Sequence, residues 1–198
     1  MILLEVKYML TVELKNNNEI KYMELLTKLN IDLTDIAKLL DQVDYFNKPL
    51  STQYTGAYPG GLCEHALRFA HELGVLCNAY FPGKYTEEDV IKVALFKDFY
   101  KATMYEAYMK NVKNDDTGQW ESVPAFRVKD NANRPVYGDI GFSSYMQIKN
   151  YVDLTDEQIE AIIHHRPTDF APDAHNVFNV YPLVVLTRMA EMAATYIN

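Results

Sequence analysis

Hydrophobic residues recur at intervals of three and four positions along most of the chain, which is the spacing of amphipathic helices. Residues that commonly cap helix N-termini stand before several of these stretches: Asp32 or Thr34, Thr86, and Thr155 with Gln158. The predicted helices cover residues 19–29, 32–43, 62–81, 87–102, 142–151, 154–166 and 181–197. The pattern therefore predicts a mainly α fold.

Three stretches depart from the helical pattern. Residues 1–18 are predicted to form an N-terminal arm, as a strand or irregular chain, with a loop at Asn16–Glu19 separating it from a helical domain over 19–198. Aromatic and β-branched residues on both sides of a turn sequence predict a β-hairpin at about 104–130. Residues 168–176 are predicted to be a loop.

Composition narrows the class of protein. The chain has 198 residues, 48% of them hydrophobic, and a formal net charge of −8, which argues against non-specific binding of nucleic acid. Cys63 and Cys77 are too few for a disulfide framework and are predicted to be free, buried thiols. Glu5 and Lys7 interrupt the apolar start, so we expect no signal peptide, no membrane span and a cytoplasmic protein.

Ionisable side chains interrupt four of the apolar helical stretches. Burying such groups without a partner costs about 2–7 kcal/mol even when they are neutral, so they usually meet each other, a metal ion or water. Individually each has a simpler interpretation, such as Lys97 extending to solvent or Glu191 pairing with Arg188. The residues are His65, Lys97 with Asp98, His164 with His165, and Glu191.

Basic residues lie near these positions. Lys101 is on the same helix flank as Lys97 and Asp98, and Arg68 is three residues beyond His65. Together with Arg166, these cations would suit a phosphate group, because guanidinium and ammonium groups form charge-assisted hydrogen bonds to phosphate oxygens.

The order of these segments resembles the HD-domain superfamily of metal-dependent phosphohydrolases, most closely the small HD-domain proteins of bacteriophages and Firmicutes. The matching segments are GAYPGGLCEHALR, ALFKDFYK, the hairpin, EAIIHHRP and PLVVLTRMAEMAATY. The resemblance implies an HD-domain helical bundle with one inserted β-hairpin.

The metal ligands of that family correspond only in part to residues of this chain. The histidine of the His-Asp pair that names the family falls on Lys97, and a further histidine of the phage group falls on Asp139 or Ile140. The remaining ligand positions fall on His65, Asp98, His165 (with His164 as the alternative) and Glu191.

A protonated lysine has no lone pair for a metal ion and adds positive charge to the site. The resemblance then implies a degenerate site, with either no metal or a single Mn, Fe, Zn or Mg ion bound at reduced affinity by His65, Asp98, His165 and Glu191. The implied catalytic residues are Asp98, Lys97 and Arg68, and the implied substrate-binding residues are Lys101, Arg166 and Tyr58.

Three functions stay open at this point. The protein could bind a nucleotide or another small phosphorylated ligand with little or no catalysis, in the host cytoplasm if it is phage-encoded and acts on host nucleotide metabolism or signalling. It could instead hydrolyse nucleotides with a mononuclear metal site. The hairpin aromatics, including Trp120, could also serve contact with a second copy of the chain or with a host protein.

Overall fold

Helices make up most of the computed structural model, which describes residues 2–115, 117–135, 137–166 and 174–197. Among these residues, one antiparallel hairpin interrupts the helices, so the predicted mainly α fold with an inserted hairpin is confirmed. The helices are α1 (Ile2–Leu26), α2 (Leu33–Gln42), α3 (Gly61–Tyr80), α4 (Glu87–Phe96), α5 (Tyr100–Met104), α6 (Ile140–Ile148), α7 (Asp156–Ile163), α8 (Ala174–Val180) and α9 (Pro182–Tyr196).

The N-terminal segment is helical rather than an irregular arm. Because α1 continues through the asparagine-rich stretch, the predicted loop at 16–19 is wrong. Asn18 is buried, and its carbonyl oxygen lies 3.6 Å from the Cys63 thiol, while the Tyr22 hydroxyl donates to the Leu95 carbonyl at 2.9 Å. This packing outweighs the low helix propensity of asparagine. No helix in the described part of the chain is long and apolar enough to cross a membrane.

The predicted helix starts are confirmed where side chains cap the backbone. Asp32 accepts from the backbone amides of residues 34 and 35 at the start of α2. Thr86 with Asp89 and Thr155 with Gln158 form capping boxes at α4 and α7. In each case a side-chain oxygen satisfies an amide that has no partner inside the helix.

The single helix predicted over 87–102 is two helices, α4 and α5, separated by a tight turn. At this turn the amides of Phe99 and Lys101 donate to carbonyls three residues earlier, at 3.1 and 2.9 Å. Bonds of this kind wind the backbone more tightly than an α-helix and rotate the side chains that follow. The turn places Lys97 and Asp98 at the end of α4, both facing the interior.

Helix α3 lies at the centre of the helical body, where it packs against α1, α4 and α9. Helix α7 packs against α4, α6 and α9, and its contact with α6 is close at Gly141, where a Cβ atom would lie 2.3 Å from the Ile163 carbonyl oxygen. Large apolar side chains such as Phe69, Phe96 and Phe99 fill the space between these helices and are fully buried.

The hairpin consists of β1 (Tyr105–Lys113) and β2 (Trp120–Val128), paired antiparallel from Tyr105 opposite Val128 to Lys113 opposite Trp120. It joins the body next to α5, and Trp120 near its tip is 72% exposed. The loop predicted over 168–176 is only partly described: 168–173 lie outside the described residues, and residues 174–176 belong to α8.

Both cysteines are free and buried, as predicted. Burial raises the pKa of the Cys63 thiol to about 12 and that of Cys77 to about 11. Since the thiolate is the reactive form of cysteine, both residues are inert thiols at neutral pH.

Candidate functional site

Five segments bring ionisable side chains to one buried point, which we call the central cluster. Helix α3 supplies a histidine, the turn after α4 a lysine and an aspartate, α5 a second lysine, the end of α7 a histidine and α9 a glutamate. Its members are His65, Lys97, Asp98, Lys101, His165 and Glu191. Their convergence satisfies the requirement that buried charges be paired.

The ammonium group of Lys97 lies in the middle of the central cluster. It donates to Asp98 Oδ2 and to Glu191 Oε2, the latter at 2.6 Å, and lies 3.3 Å from His65 Nε2. It is also 4.4 Å from the centre of the Phe69 ring, within the range of a cation–π interaction. The Lys97 side chain is fully buried, so the prediction that it could extend to solvent is wrong.

The Asp98 carboxylate forms ion pairs with both Lys97 and Lys101. Its Oδ2 accepts from Lys97, while its Oδ1 lies 2.8 Å from Lys101 Nζ and 3.4 Å from His165 Nε2. The other ring nitrogen of His165, Nδ1, donates to the Ile162 carbonyl at 2.7 Å, which fixes the ring. Of the adjacent histidines, His165 is therefore the one that belongs to the cluster, whereas His164 pairs with Glu160 at 3.2 Å.

The pKa shifts within the cluster follow from burial and from these pairs. Burial alone would raise the pKa values of the two carboxyl groups and lower that of Lys97. The neighbouring opposite charges outweigh burial in all three, so the pKa values of Asp98 and Glu191 are lowered and that of Lys97 is raised.

The other two shifted groups follow burial. Burial, with the Lys97 charge beside it, lowers the pKa of His65, so this imidazole is neutral at pH 7. Burial also lowers the pKa of Lys101, although the Asp98 carboxylate opposes the shift. With Lys101 protonated, two ammonium charges balance the two carboxylates, Asp98 and Glu191.

The cluster contains the donors of a metal site but no room for the metal. One ligand atom each from His65, Asp98 and Glu191 lies within 4.8 Å of the others, which is close enough to share an ion. A transition-metal ion would need to stand about 2.0–2.2 Å from such nitrogen and oxygen atoms. The Lys97 ammonium already occupies the space between them and carries positive charge. The residues as arranged therefore do not fit a divalent metal.

Tyr58 and Arg68 belong to a separate surface group organised by Glu64, a residue that the sequence analysis missed. The Tyr58 hydroxyl donates to Glu64 Oε2 at 2.8 Å, and Arg68 donates to Glu64 Oε1 at 2.9 Å and to the Ala194 carbonyl at 3.2 Å. Burial and the Glu64 hydrogen bond raise the pKa of Tyr58 to about 12. Arg68 thus pairs with a carboxylate outside the cluster; the spacing of Glu64 and Arg68, four residues apart on α3, was the available signal.

Arg166 lies apart from the Glu64 group, at an open cavity of about 500 Å³ between α5, α6 and α7. The cavity is also lined by Tyr100, Asp139 and a second arginine, Arg134, which the sequence analysis missed because it stands in irregular chain after the hairpin. Asp139, one of the two residues on which the further histidine of the resemblance could fall, caps α6 by accepting from the Phe142 amide at 2.8 Å.

The residues predicted to act in catalysis or in substrate binding are thus divided among three places. Lys97 and Lys101 lie in the closed central cluster, Tyr58 and Arg68 lie in the Glu64 group, and Arg166 lies at the open cavity.

Comparisons with known proteins give no match to a family model, a curated protein or a solved structure.

Proposed function

We propose that this chain is an HD-domain phosphohydrolase-like protein whose metal has been replaced by the Lys97 ammonium, and that it binds a nucleotide or another small phosphorylated ligand with little or no hydrolysis. The observation that carries the proposal is the position of Lys97 Nζ among the His65, Asp98 and Glu191 donor atoms. A phage-encoded protein of this kind would sequester host nucleotides or nucleotide signals.

The ammonium can take the structural role of a cation but not its chemical role. It balances the charge of the Asp98 and Glu191 carboxylates and thereby keeps α4 and α9 together. It has no vacant orbital to polarise a phosphoryl oxygen, and it does not lower the pKa of a bound water as a metal ion does. The group is also fully buried, so a substrate does not reach it.

A second candidate is a mononuclear phosphohydrolase, favoured by the three donor atoms that lie within 4.8 Å of one another. It requires Lys97 to leave the cluster, which would separate the ammonium from both carboxylates. Breaking a buried ion pair in this way typically costs about 3–5 kcal/mol. We therefore place this function second.

Turnover and binding, measured on the same preparation, distinguish the two candidates. We expect nucleoside mono- and triphosphates to raise the melting temperature, while phosphate release with Mn²⁺ or Co²⁺ stays at the level of buffer. Asp98→Ala and the exposed-site variant Asp156→Ala serve as a matched pair. Metal-dependent phosphate release that disappears only in Asp98→Ala would establish the mononuclear enzyme, and the absence of any ligand effect on melting would refute binding.

A further inference from the structure

The central cluster is an unsuitable place for an anionic ligand. Its ammonium groups are already matched by carboxylates, and Lys97 and Lys101 are 0% and 2% exposed. An incoming phosphate would have to displace a carboxylate from a closed interior, at the cost of breaking a buried pair. If the protein binds an anion, an uncompensated cation at an open cavity is the place to expect it.

The cavity between α5, α6 and α7 offers two such cations. Arg134 donates to two neutral groups, the Tyr100 hydroxyl at 2.6 Å and the Asn131 side-chain carbonyl at 2.8 Å, and its Nε is buried without a hydrogen-bond partner. Within the described residues, neither Arg134 nor Arg166 forms an ion pair with a carboxylate, although Asp139 also lines the cavity. A buried N–H donor without an acceptor is costly and points to a missing ligand or water.

The backbone on both sides of the cavity is fixed. Arg188 on α9 donates to the His164 carbonyl at 2.8 Å and to the Arg166 carbonyl at 3.1 Å, and its guanidinium lies 4.4 Å from the Phe178 ring centre. Across the cavity, the Ser144 hydroxyl accepts from the Tyr100 amide at 3.0 Å and so ties α6 to α5. Arg166 therefore projects from a backbone held by α9, and the Arg134 side chain is held by its own hydrogen bonds to Tyr100 and Asn131. Both restraints lower the entropic cost of binding.

Apolar side chains also line the cavity. Met104, Ile140 and Ile163 line it beside the arginines. A volume of about 500 Å³ falls within the usual range for small-molecule sites, which combine apolar walls with a few fixed polar groups. This lining suits a ligand that has an anionic group and a flat apolar part, as a nucleoside monophosphate has.

We propose that the cavity between α5, α6 and α7 is the ligand site, and that Arg134 and Arg166 bind the phosphate of a nucleoside monophosphate whose base packs on Met104, Ile140 and Ile163. The inference rests on the proposed binding function and adds its location. It also separates the binding site from the central cluster: Lys97 and its partners hold the helices that carry the cavity and do not touch the ligand.

Calorimetric titration of the full chain with AMP, GMP, CMP and UMP tests the site, with inorganic phosphate and adenosine as partial ligands. We expect at least one nucleotide to bind more tightly than either partial ligand. Arg166→Gln should weaken that binding at least about tenfold, because a charge-assisted pair is lost. The control Arg127→Gln removes an exposed hairpin arginine, paired with Glu106 at 2.7 Å, and should leave the affinity unchanged.

The outcomes separate the two proposals. Nucleotide binding that is equally strong in Arg166→Gln and in wild type would overturn the cavity site and leave the binding function standing. Equal losses in Arg166→Gln and Arg127→Gln would also overturn it, since the effect would then be one of overall charge. Wild-type protein that binds none of the four monophosphates would overturn the cavity proposal, and only the additional absence of any ligand effect on melting would refute the proposed function. Arg134→Gln, checked for folding by circular dichroism, should reproduce the loss seen with Arg166→Gln.

Discussion

At the scale of single residues, Lys97 places a positive charge in the protein interior and pairs it with two carboxylates. A lysine side chain is normally exposed, yet this one is fully buried with two carboxylates, an imidazole and an aromatic ring around its ammonium. The pairs with Asp98 and Glu191 hold its pKa above the ordinary value despite burial. The Lys97 side chain is thus positively charged at neutral pH.

Removing the ammonium should be strongly destabilising. In Lys97→Met the apolar stem is kept, while the carboxylates of Asp98 and Glu191 lose their shared partner. We expect the free energy of unfolding to fall by about 3–5 kcal/mol in urea denaturation. Adding Glu191→Gln to this variant should recover part of the loss, because one uncompensated charge is removed.

The control is Lys110→Met, at an exposed position on β1. It should change the free energy of unfolding by no more than about 0.5 kcal/mol. A Lys97→Met protein as stable as Lys110→Met would show that the buried pairs contribute nothing and would contradict the central role of Lys97.

At the scale of elements, the contact between α6 and α7 positions one wall of the cavity. Gly141 permits this contact, since a Cβ there would lie 2.3 Å from the Ile163 carbonyl and 2.5 Å from that of Ile162. Both carbonyls are backbone and cannot rotate away as a side chain would. The two helices must therefore separate if any larger residue stands at 141.

Gly141→Ala should lower the free energy of unfolding by about 1–3 kcal/mol through this overlap, and it should weaken nucleotide binding as the cavity wall moves. Gly74→Ala on α3 is the matched control, because its Cβ would meet only Val90 at 3.9 Å. There the substitution should stabilise by up to about 1 kcal/mol, as alanine is the better helix former. Chemical denaturation measures the free energy of unfolding of both variants. Equal changes in the two would contradict the close contact between α6 and α7.

Local chemistry determined which elements the sequence could predict. The caps at Asp32, Thr86 and Thr155 depend on neighbours within three residues, so the sequence was sufficient to locate them. Two features depend on distant contacts and were missed. Asn18 is helical because α1 packs on α3, and the chain tightens at Lys97–Phe99, where the cluster draws the side chains inward.

The candidate site, too, could be predicted only in part from the sequence. Buried ionisable residues on apolar helices predicted that His65, Lys97, Asp98 and Glu191 would meet, and the structure brings them together. The roles of the surrounding basic residues could not be assigned in this way. Arg68 is paired within its own helix, and Arg134 comes from irregular chain whose position depends on the whole fold.

At the scale of the whole molecule, the cluster links folding to pH. Asp98 and Glu191 have folded-state pKa values below the ordinary 3.8 and 4.5, and His65 has one below 6.5. For all three, the folded state binds fewer protons than the unfolded state at acid pH. The stability they supply is complete above pH 6.5 and is lost progressively as the pH falls toward the folded-state values.

Urea denaturation at a series of pH values from 7 to 3 should therefore show decreasing stability, with His65 contributing first and the carboxylates below about pH 4.5. In Lys97→Met the decrease should be shallower, because Glu191 no longer has an ammonium to hold its pKa down. Parallel pH profiles for the two proteins would mean that the cluster does not produce the acid sensitivity.

The affinity for Mn²⁺, measured by calorimetry and by elemental analysis of dialysed protein, tests most directly the proposal that Lys97 takes the place of a metal ion. Wild-type protein should bind no Mn²⁺ at the cluster, whereas Lys97→His should bind roughly one ion per chain through the imidazole together with His65, Asp98 and Glu191. Lys110→His on the hairpin should behave as wild type. Stoichiometric Mn²⁺ in the wild-type protein, lost in Asp98→Ala, would contradict the account.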